Sequence, residues 1–480
     1  MYSPLEVGQL LQSTLAERAK AHGVPAAAVA VVVDGEIVEH AVGVLSTATK
    51  VEATTDSVFQ IGSITKVWTA TLVMQLVDEG LVELDAPVRQ YLPEFALADD
   101  AVAAAITVRQ LLSHRSGIEG DIFTDTGRGD DAISTYLTLL SDAGQIFPPG
   151  SFFSYSNAGY VVLGRLVERV RDTTWEQALV ERIATPLGLH TVSPSPYEAI
   201  LHRAAVGHVG PDADGVAQPA PFWAMARSNE PAGSMLAMSA RDLAAFAQAH
   251  LRAAAGSSAA GSSAAGTSAG EAPEGSDVLS QDAALAMRTT EVRLPRLAGM
   301  GAAWGLGWEI DREGDGMLFG HDGNTIGQSS FLRIAPDAEA AVVLLTNGGD
   351  GAGLFHDVVD ELLRGLADIS LPAPPTPPAA SDADENADVD SFLGVYANST
   401  VEMEVSQDAE GRLWLEQRPT PELVALGAEP STDELVRYDE GSLILRENKD
   451  GMHLVLAFLE PAADGRASYI HFGRAVPRSR

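Results

Sequence analysis

Ile61-Gly62-Ser63-Ile64-Thr65-Lys66, running on into the apolar stretch Val67 to Val77, decides how this chain reads. Apolar residues at Val67, Leu72, Val73, Leu76 and Val77 recur at helical spacing. The spacing predicts a buried helix that carries Ser63 in its first turn and ends near Gly80. Three residues on, Lys66 falls on the same helical face as Ser63. A serine hydroxyl is a weak nucleophile until a base takes its proton, and a lysine serves as that base only where burial lowers its proton affinity. The N–H groups at a helix start can hold a developing oxyanion. Ser-x-x-Lys is nevertheless short, and a serine beginning a helix is more often a simple cap. Composition sharpens the signal: only Lys20, Lys50, Lys66 and Lys449 are lysines among 31 Lys plus Arg. Basic positions are filled by arginine, so a lysine on an apolar helical face points to its titratable amine.

With 480 residues the chain exceeds the roughly 250–300 at which single cores stop growing, which predicts one large and one small domain. A net charge of −35 repels phosphate backbones and anionic membrane surfaces, so neither nucleic acid nor membrane is an expected partner. The absence of cysteine removes disulfides, thiolate metal sites and a cysteine nucleophile. The N-terminus shows no basic segment followed by an apolar one and a cleavage site, and a cytoplasmic location is expected.

The pattern predicts a helix over 5–22, a hairpin of Ala27–Val33 and Ile37–Val44, and a helix over 107–117 closing into a polar turn. His114 in that turn is read as a histidine bonded to backbone. After the breaker Pro148-Pro149-Gly150 the loop Tyr155-Ser156-Asn157 leads into an apolar helix, Tyr160–Val170. Ala253 to Gly275 is almost wholly Ala, Gly and Ser and reads as a disordered surface loop. Strands follow at Met317–Gly320, Ser329–Ile334 and Ala341–Thr346, then a helix at His356–Leu366. Leu371 to Asp390 reads as a stiff linker. Eight short runs follow: Phe392–Tyr396, Val401–Val405, Leu413–Gln417, Leu423–Leu426, Leu435–Tyr438, Leu443–Arg446, His453–Phe458 and Ser468–Phe472. They predict an up-and-down antiparallel barrel. The expected organisation is a catalytic domain over 1–370, a linker over 371–390 and the barrel over 391–480.

Two motifs join Ser63 and Lys66. In Tyr155-Ser156-Asn157 a phenol can share a proton with Ser63 or Lys66, and an amide can bond the lysine and substrate. In Gly320-His321-Asp322-Gly323-Asn324, expected between two strands, a glycine lets substrate approach and the next N–H can complete an oxyanion hole. Each motif alone is commonplace.

In this order and at these intervals they resemble the serine penicillin-recognising enzymes, and within them the class C β-lactamase-like branch. Landmarks away from the chemistry share the likeness: Leu111 to Gly117, Ala232-Gly233-Ser234-Met235, Trp304-Gly305-Leu306-Gly307-Trp308 and Leu345-Thr346-Asn347. The resemblance covers residues 10–365. It implies an α+β fold, an antiparallel sheet flanked by helices with a helical lobe beside it. It makes Ser63 the acylated nucleophile, and Lys66 and Tyr155 the proton-transfer pair. Asn157 orients the lysine and the substrate amide. Gly323 lets substrate approach, and the N–H groups of Ser63 and Asn324 form the oxyanion hole. No cofactor or metal is implied.

One departure matters. Where β-lactamases and carboxypeptidases carry Lys-Thr-Gly, this chain has His321-Asp322-Gly323, so a permanent cation gives way to a group mostly neutral near pH 7. That disfavours antibiotic resistance and cell-wall chemistry. It is similar to the esterases, D-amino-acid peptidases and peptide cyclases of the family. The barrel, the cytoplasmic expectation and an Arg- and Ala-rich composition together look like the penicillin-binding-protein-type thioesterases, stand-alone nonribosomal peptide cyclases with a lipocalin-like barrel. That likeness implies a peptidyl thioester substrate carried by a peptidyl carrier protein and closed head to tail. A D-stereospecific peptidase or esterase would use the same residues with water as acceptor. A non-catalytic binding protein on this fold is disfavoured, since every acyl-transfer group is present.

Overall fold

A computed structural model describes residues 1–211, 217–256, 278–378, 389–421, 424, 428–449 and 452–479. The first helix, Pro4–Ala21, starts on a reciprocal cap in which Ser3 and Glu6 each satisfy the other's backbone N–H. The hairpin Ala26–Val33 and Glu36–Gly43 follows, turning at Asp34-Gly35.

These strands open an eight-stranded antiparallel sheet. Its spatial order is Glu36–Gly43, Ala26–Val33, Ala340–Thr346, Ser329–Ala335, Leu318–Asn324, Glu309–Arg312, Ala303–Trp304 and Val292–Arg293. Ala26–Val33 is buried at every position, which is why it reads as one unbroken apolar run. Its period of two still divides it. Ala28, Ala30 and Val32 enter a core shared with the Thr65–Asp78 and Ala240–Ala255 helices, whereas Val29, Val31 and Val33 face Pro4–Ala21 and Gly351–Ala367. Alanines on the first face leave room for a closely packed helix.

The Thr65–Asp78 helix is buried on all sides, and Trp68 stacks on Phe246 of the Ala240–Ala255 helix at 4.2 Å. Losing such a buried aromatic costs about 3–5 kcal/mol, which fixes the serine's helix in the core. A helical lobe beside the sheet contains Val108–Leu112, Ala132–Leu139 and Asn157–Arg171.

The C-terminal part is an eight-stranded antiparallel sheet in sequential order from Gly394–Ala397 to Ala475–Pro477. A bridge from Tyr396 to Arg478 nearly closes it into a barrel, and Met403, Leu415, Leu443, Leu456 and Ile470 fill its interior. This is the lipocalin-like second fold expected from the sequence, with eight strands as expected but one of them formed by a different segment. The expected run Leu423–Leu426 lies, apart from Val424, outside the described residues, and the eighth strand is the short Ala475–Pro477. The Ala/Gly/Ser loop predicted from residue 253 begins later, since Ala253 and Ala254 are buried in the end of the Ala240–Ala255 helix; its residues 257–275 lie outside the described residues. The expected linker is not free at its start. Leu371 is buried, and its N–H donates to Asp360 Oδ1 at 2.8 Å; residues 379–388 lie outside the described residues. Among the described residues no helix is long and apolar enough to cross a membrane.

Candidate active site

Ser63 stands on a single tight turn, Gly62–Ile64, that runs straight into the Thr65–Asp78 helix. Gly62 has φ +49°, and a Cβ there would meet the backbone nitrogen of Asn324 at 2.7 Å. Only glycine admits this approach, which brings the Asn324 N–H beside the serine turn. Gly323 is equally constrained, since a Cβ would fall 2.0 Å from the Ile61 carbonyl oxygen.

Lys66 is fully buried, with Nζ 3.1 Å from Ser63 Oγ. The same nitrogen donates to the Ala232 carbonyl at 2.6 Å. Burial drives its proton affinity well below the ordinary lysine range, and the positive charge of Arg474 lowers it further, against an opposing pull from Asp121. A neutral amine can take the serine proton along the 3.1 Å contact. The Nζ also lies 4.8 Å from the centre of the Tyr155 ring.

Tyr155 precedes the Asn157–Arg171 helix, which Ser156 caps through a bond from the Gly159 N–H at 3.0 Å. The sequence reading began this helix three residues later, so Asn157 lies in its first turn and not in a loop. Tyr155 shares the cleft wall with Ser63, and burial raises the pKa of its phenol against an opposing pull from the Ser63 hydroxyl, so the phenol keeps its proton and can relay one. Asn157 Nδ2 donates to Asp121 Oδ1 at 2.7 Å, while the bonds of Lys66 go to Ser63 and Ala232. Asn157 thus reaches the lysine through the field of Asp121 and not by a direct bond.

His114 is the backbone-bonded turn histidine. Its φ is +55°, and its Nδ1 accepts the Ser156 N–H at 2.9 Å, which puts the ring proton on Nε2. The ring is fully buried and stacks on Tyr155 at 4.3 Å. It holds the phenol in place.

His321 to Asn324 form the second half of the Leu318–Asn324 strand, where the sequence reading had placed them between strands. Pairing with Ser329–Ala335 continues to Asn324, whereas pairing with Glu309–Arg312 stops at Gly320. From His321 onward one edge is therefore open, and His321, Asp322 and Asn324 line the cleft. His321 Nδ1 lies 2.6 Å from the Asp322 carbonyl, so it donates there and Nε2 keeps a lone pair, buried and without a partner. Burial, and then the Lys66 charge, push the His321 pKa down to about 3. The ring is neutral at any working pH. Asp322 is held by Arg333 with Nη1–Oδ1 at 2.5 Å, and the same guanidinium reaches Asp311 at 2.9 Å.

The cleft measures about 420 Å³ and contains Ser63, Tyr155, Asn157, His321 and Asn324 in its walls. Three further residues in or behind it were missed from the sequence. Glu309, the residue directly after the Trp304–Trp308 landmark, lines the cleft and accepts the Gly301 N–H; its burial raises its pKa well above the carboxylate range. Arg474 comes from the barrel, on the turn between its last two strands, and grips both oxygens of Asp121. Its guanidinium carbon lies 5.2 Å from the Tyr155 ring centre. The barrel also holds the catalytic loop by its backbone: the Tyr155 N–H donates to the Gly473 carbonyl at 3.0 Å, and His471 Nε2 donates to the Phe153 carbonyl at 2.7 Å. Both parts of the chain build this site.

A buried nucleophile–amine pair, a relay phenol and an open strand edge form an apparatus for acyl transfer through a serine ester. A family model described as Beta-lactamase matches residues 11–363. The chain belongs to the beta-lactamase family. Members of this family, penicillin-binding proteins included, are serine acyl-enzyme hydrolases, in keeping with the Ser63–Lys66 geometry. The chain is 44% identical over 367 residues to Penicillin-binding protein 4 of Amycolatopsis lactamdurans, which covers 75% of this chain and 91% of that one. Among solved structures it is similar to SurE, with 31% identity, a TM-score of 0.75 and 99% of both chains covered. It also shares its fold with the D-amino acid amidase from Ochrobactrum anthropi SV3, at 24% identity and a TM-score of 0.60, over 76% of this chain and 99% of that one.

Proposed function

We propose that this protein takes a peptide from a thioester onto Ser63 and releases it by head-to-tail cyclisation. The observation that carries this reading is that the barrel supplies a wall of the cleft through Arg474, in a chain similar to SurE over 99% of both lengths, barrel included. SurE has also been solved with D-Leu, which supports a D-configured residue at the acylated end. The neutral His321, where a fixed cation would select a free carboxylate, favours an uncharged acyl group.

Ser63 Oγ passes its proton to Lys66 Nζ and attacks the thioester carbonyl carbon, and the oxyanion is held by the N–H groups of Ser63 and Asn324. The C–S bond breaks, and the leaving sulfur takes the proton back from Lys66 through the Tyr155 hydroxyl. The peptide's own amine then attacks the Ser63 ester. A C–N bond forms, the C–Oγ bond breaks, and the amine's proton travels by Lys66 to Ser63 Oγ. Tethering raises the amine's effective concentration, which lets it outrun water in a covered site. The thioester donor is a peptidyl carrier protein in this reading, and the reaction is cytoplasmic.

The test is product analysis with a linear peptidyl thioester that has a free N-terminus and a D-residue at its C-terminus. Mainly cyclic product is expected, and acetylating the N-terminus should leave only slow hydrolysis. Hydrolysis alone, with ready cleavage of D-amino-acid amides or simple esters, would replace this reading with a D-stereospecific hydrolase.

A further inference from the structure

Beside the catalytic cleft lies a second hollow of about 860 Å³. Phe123, Met225 and Ile326 belong to both, so the two are one continuous depression with a three-residue waist. Ile326 is two residues past Asn324, so the waist borders the strand end that carries the oxyanion-hole N–H, and it offers an acyl chain on Ser63 a way out of the cleft. Beyond it, the walls include Tyr197, Phe222 and Met235. Tyr197 is 67% exposed and Phe222 49% exposed, in a protein whose net charge is −35. Isolated apolar residues on a surface need no explanation, but large ones gathered around one hollow mark a binding site. Four charged residues stand in its wall, two of each sign: Arg227 is paired with Glu176 at 2.7 Å and with Asp130 at 3.0 Å, and Asp125 and Arg128 balance each other in number. The wall therefore carries no excess of either charge.

Volume decides what the hollow holds. The cleft alone is of the size that takes one small ligand, roughly 300–1,000 Å³, and so accommodates the end of an acyl chain. A peptide long enough to cyclise needs a second space of this order, adjoining the first and apolar.

We infer that the hollow beyond Phe123, Met225 and Ile326 is the binding site for the body of the acyl peptide, and that it selects apolar and aromatic side chains upstream of the acylated residue. The inference rests on the acyl-transfer reading of Ser63. Thiol release tests it whether the acyl-enzyme then cyclises or hydrolyses.

The experiment measures thiol release from two thioesters of one small thiol, a single D-residue and the same residue extended upstream by about six apolar residues. The longer substrate should show a kcat/KM at least about tenfold higher, carried by KM, as expected for burying even one large apolar side chain. Tyr197→Asp with Phe222→Asp should remove most of that advantage, measured as the ratio of the two substrates. Both positions are exposed, so folding is not at risk; Tyr197→Ser with Phe222→Ser gives a second variant without added charge. As a check independent of turnover, Ser63→Ala protein should bind the acetylated long peptide amide more tightly than the double variant built on it. An equal kcat/KM for the two substrates would overturn the inference. So would a proportional loss on both substrates in the variants, or a loss seen only with a carrier-protein-bound substrate, which would make the patch a protein-docking surface. If neither thioester releases thiol in a Ser63-dependent way while the peptide amide still binds, the acyl-transfer reading falls and the groove stands.

Discussion

Arg474→Ala offers a quantitative test of how the barrel tunes the catalytic base. The Lys66 nitrogen and the Arg474 guanidinium lie 4.8 and 5.2 Å from the centre of the same Tyr155 ring. The two charges are therefore at most about 10 Å apart, which at an effective dielectric near 20 gives about 1.7 kcal/mol of repulsion when both are charged. Arg474 is partly exposed, so screening reduces this to about 1.4 kcal/mol, or one pH unit in the protonation of Lys66. Removing it also leaves Asp121 unpaired, which acts in the same direction. The sign follows: Lys66 works as base only when neutral, so a raised proton affinity moves the acid limb of the acylation rate up by about one pH unit. On that limb the rate should fall about tenfold, and at high pH it should recover. Arg474→Lys keeps the charge and should leave the limb in place. The assay is single-turnover thiol release across pH. A rate lowered by one factor at every pH, with the limb unmoved, would refute the electrostatic argument and leave Arg474 as a positioning group.

Arginine cannot give up its proton, so Lys66→Arg should cost about 10²–10⁴-fold in acylation, as much as Lys66→Ala; a near-parental rate would make the lysine purely electrostatic. Because burial pushes the His321 pKa down to about 3, His321→Gln should leave the shape of the rate profile between pH 5 and 8 unchanged, whereas His321→Lys should speed acylation by a carboxylate-bearing β-lactam, read by intact mass. Arg333→Met strands the buried carboxylate of Asp311 and the half-buried one of Asp322 and should destabilise the fold by about 3–5 kcal/mol in denaturant titration. A loss below about 1 kcal/mol would mean the Asp311 carboxyl is already protonated, the direction in which its burial pushes it.

The sequence revealed the parts of this structure that rest on local pattern. The helix after Ser63 follows from apolar periodicity, the strand Ala26–Val33 from an unbroken apolar run that stops at Asp34-Gly35, and the Ser63–Lys66 spacing alone placed the amine beside the hydroxyl. The Leu318–Asn324 strand was cut short because Gly320, His321, Asp322, Gly323 and Asn324 have little strand propensity; pairing along Ser329–Ala335 supplies what they lack. The strand Ala475–Pro477 escaped for a similar reason, being three residues long and ending in proline. Arg474 and Asp121 lie 353 residues apart, and an arginine on a barrel turn carries no mark of its destination. Glu309 was passed over although it directly follows a tryptophan landmark, because the pattern does not record which carboxylates fold inward.

The most direct measurement is intact-mass and peptide-mapping spectrometry of the protein mixed with a peptidyl thioester and quenched in acid during turnover. The account predicts a mass increase equal to the acyl group, mapped to the peptide containing Ser63 and absent in Ser63→Ala. An adduct of equal yield in Ser63→Ala, or one mapped elsewhere, would contradict it.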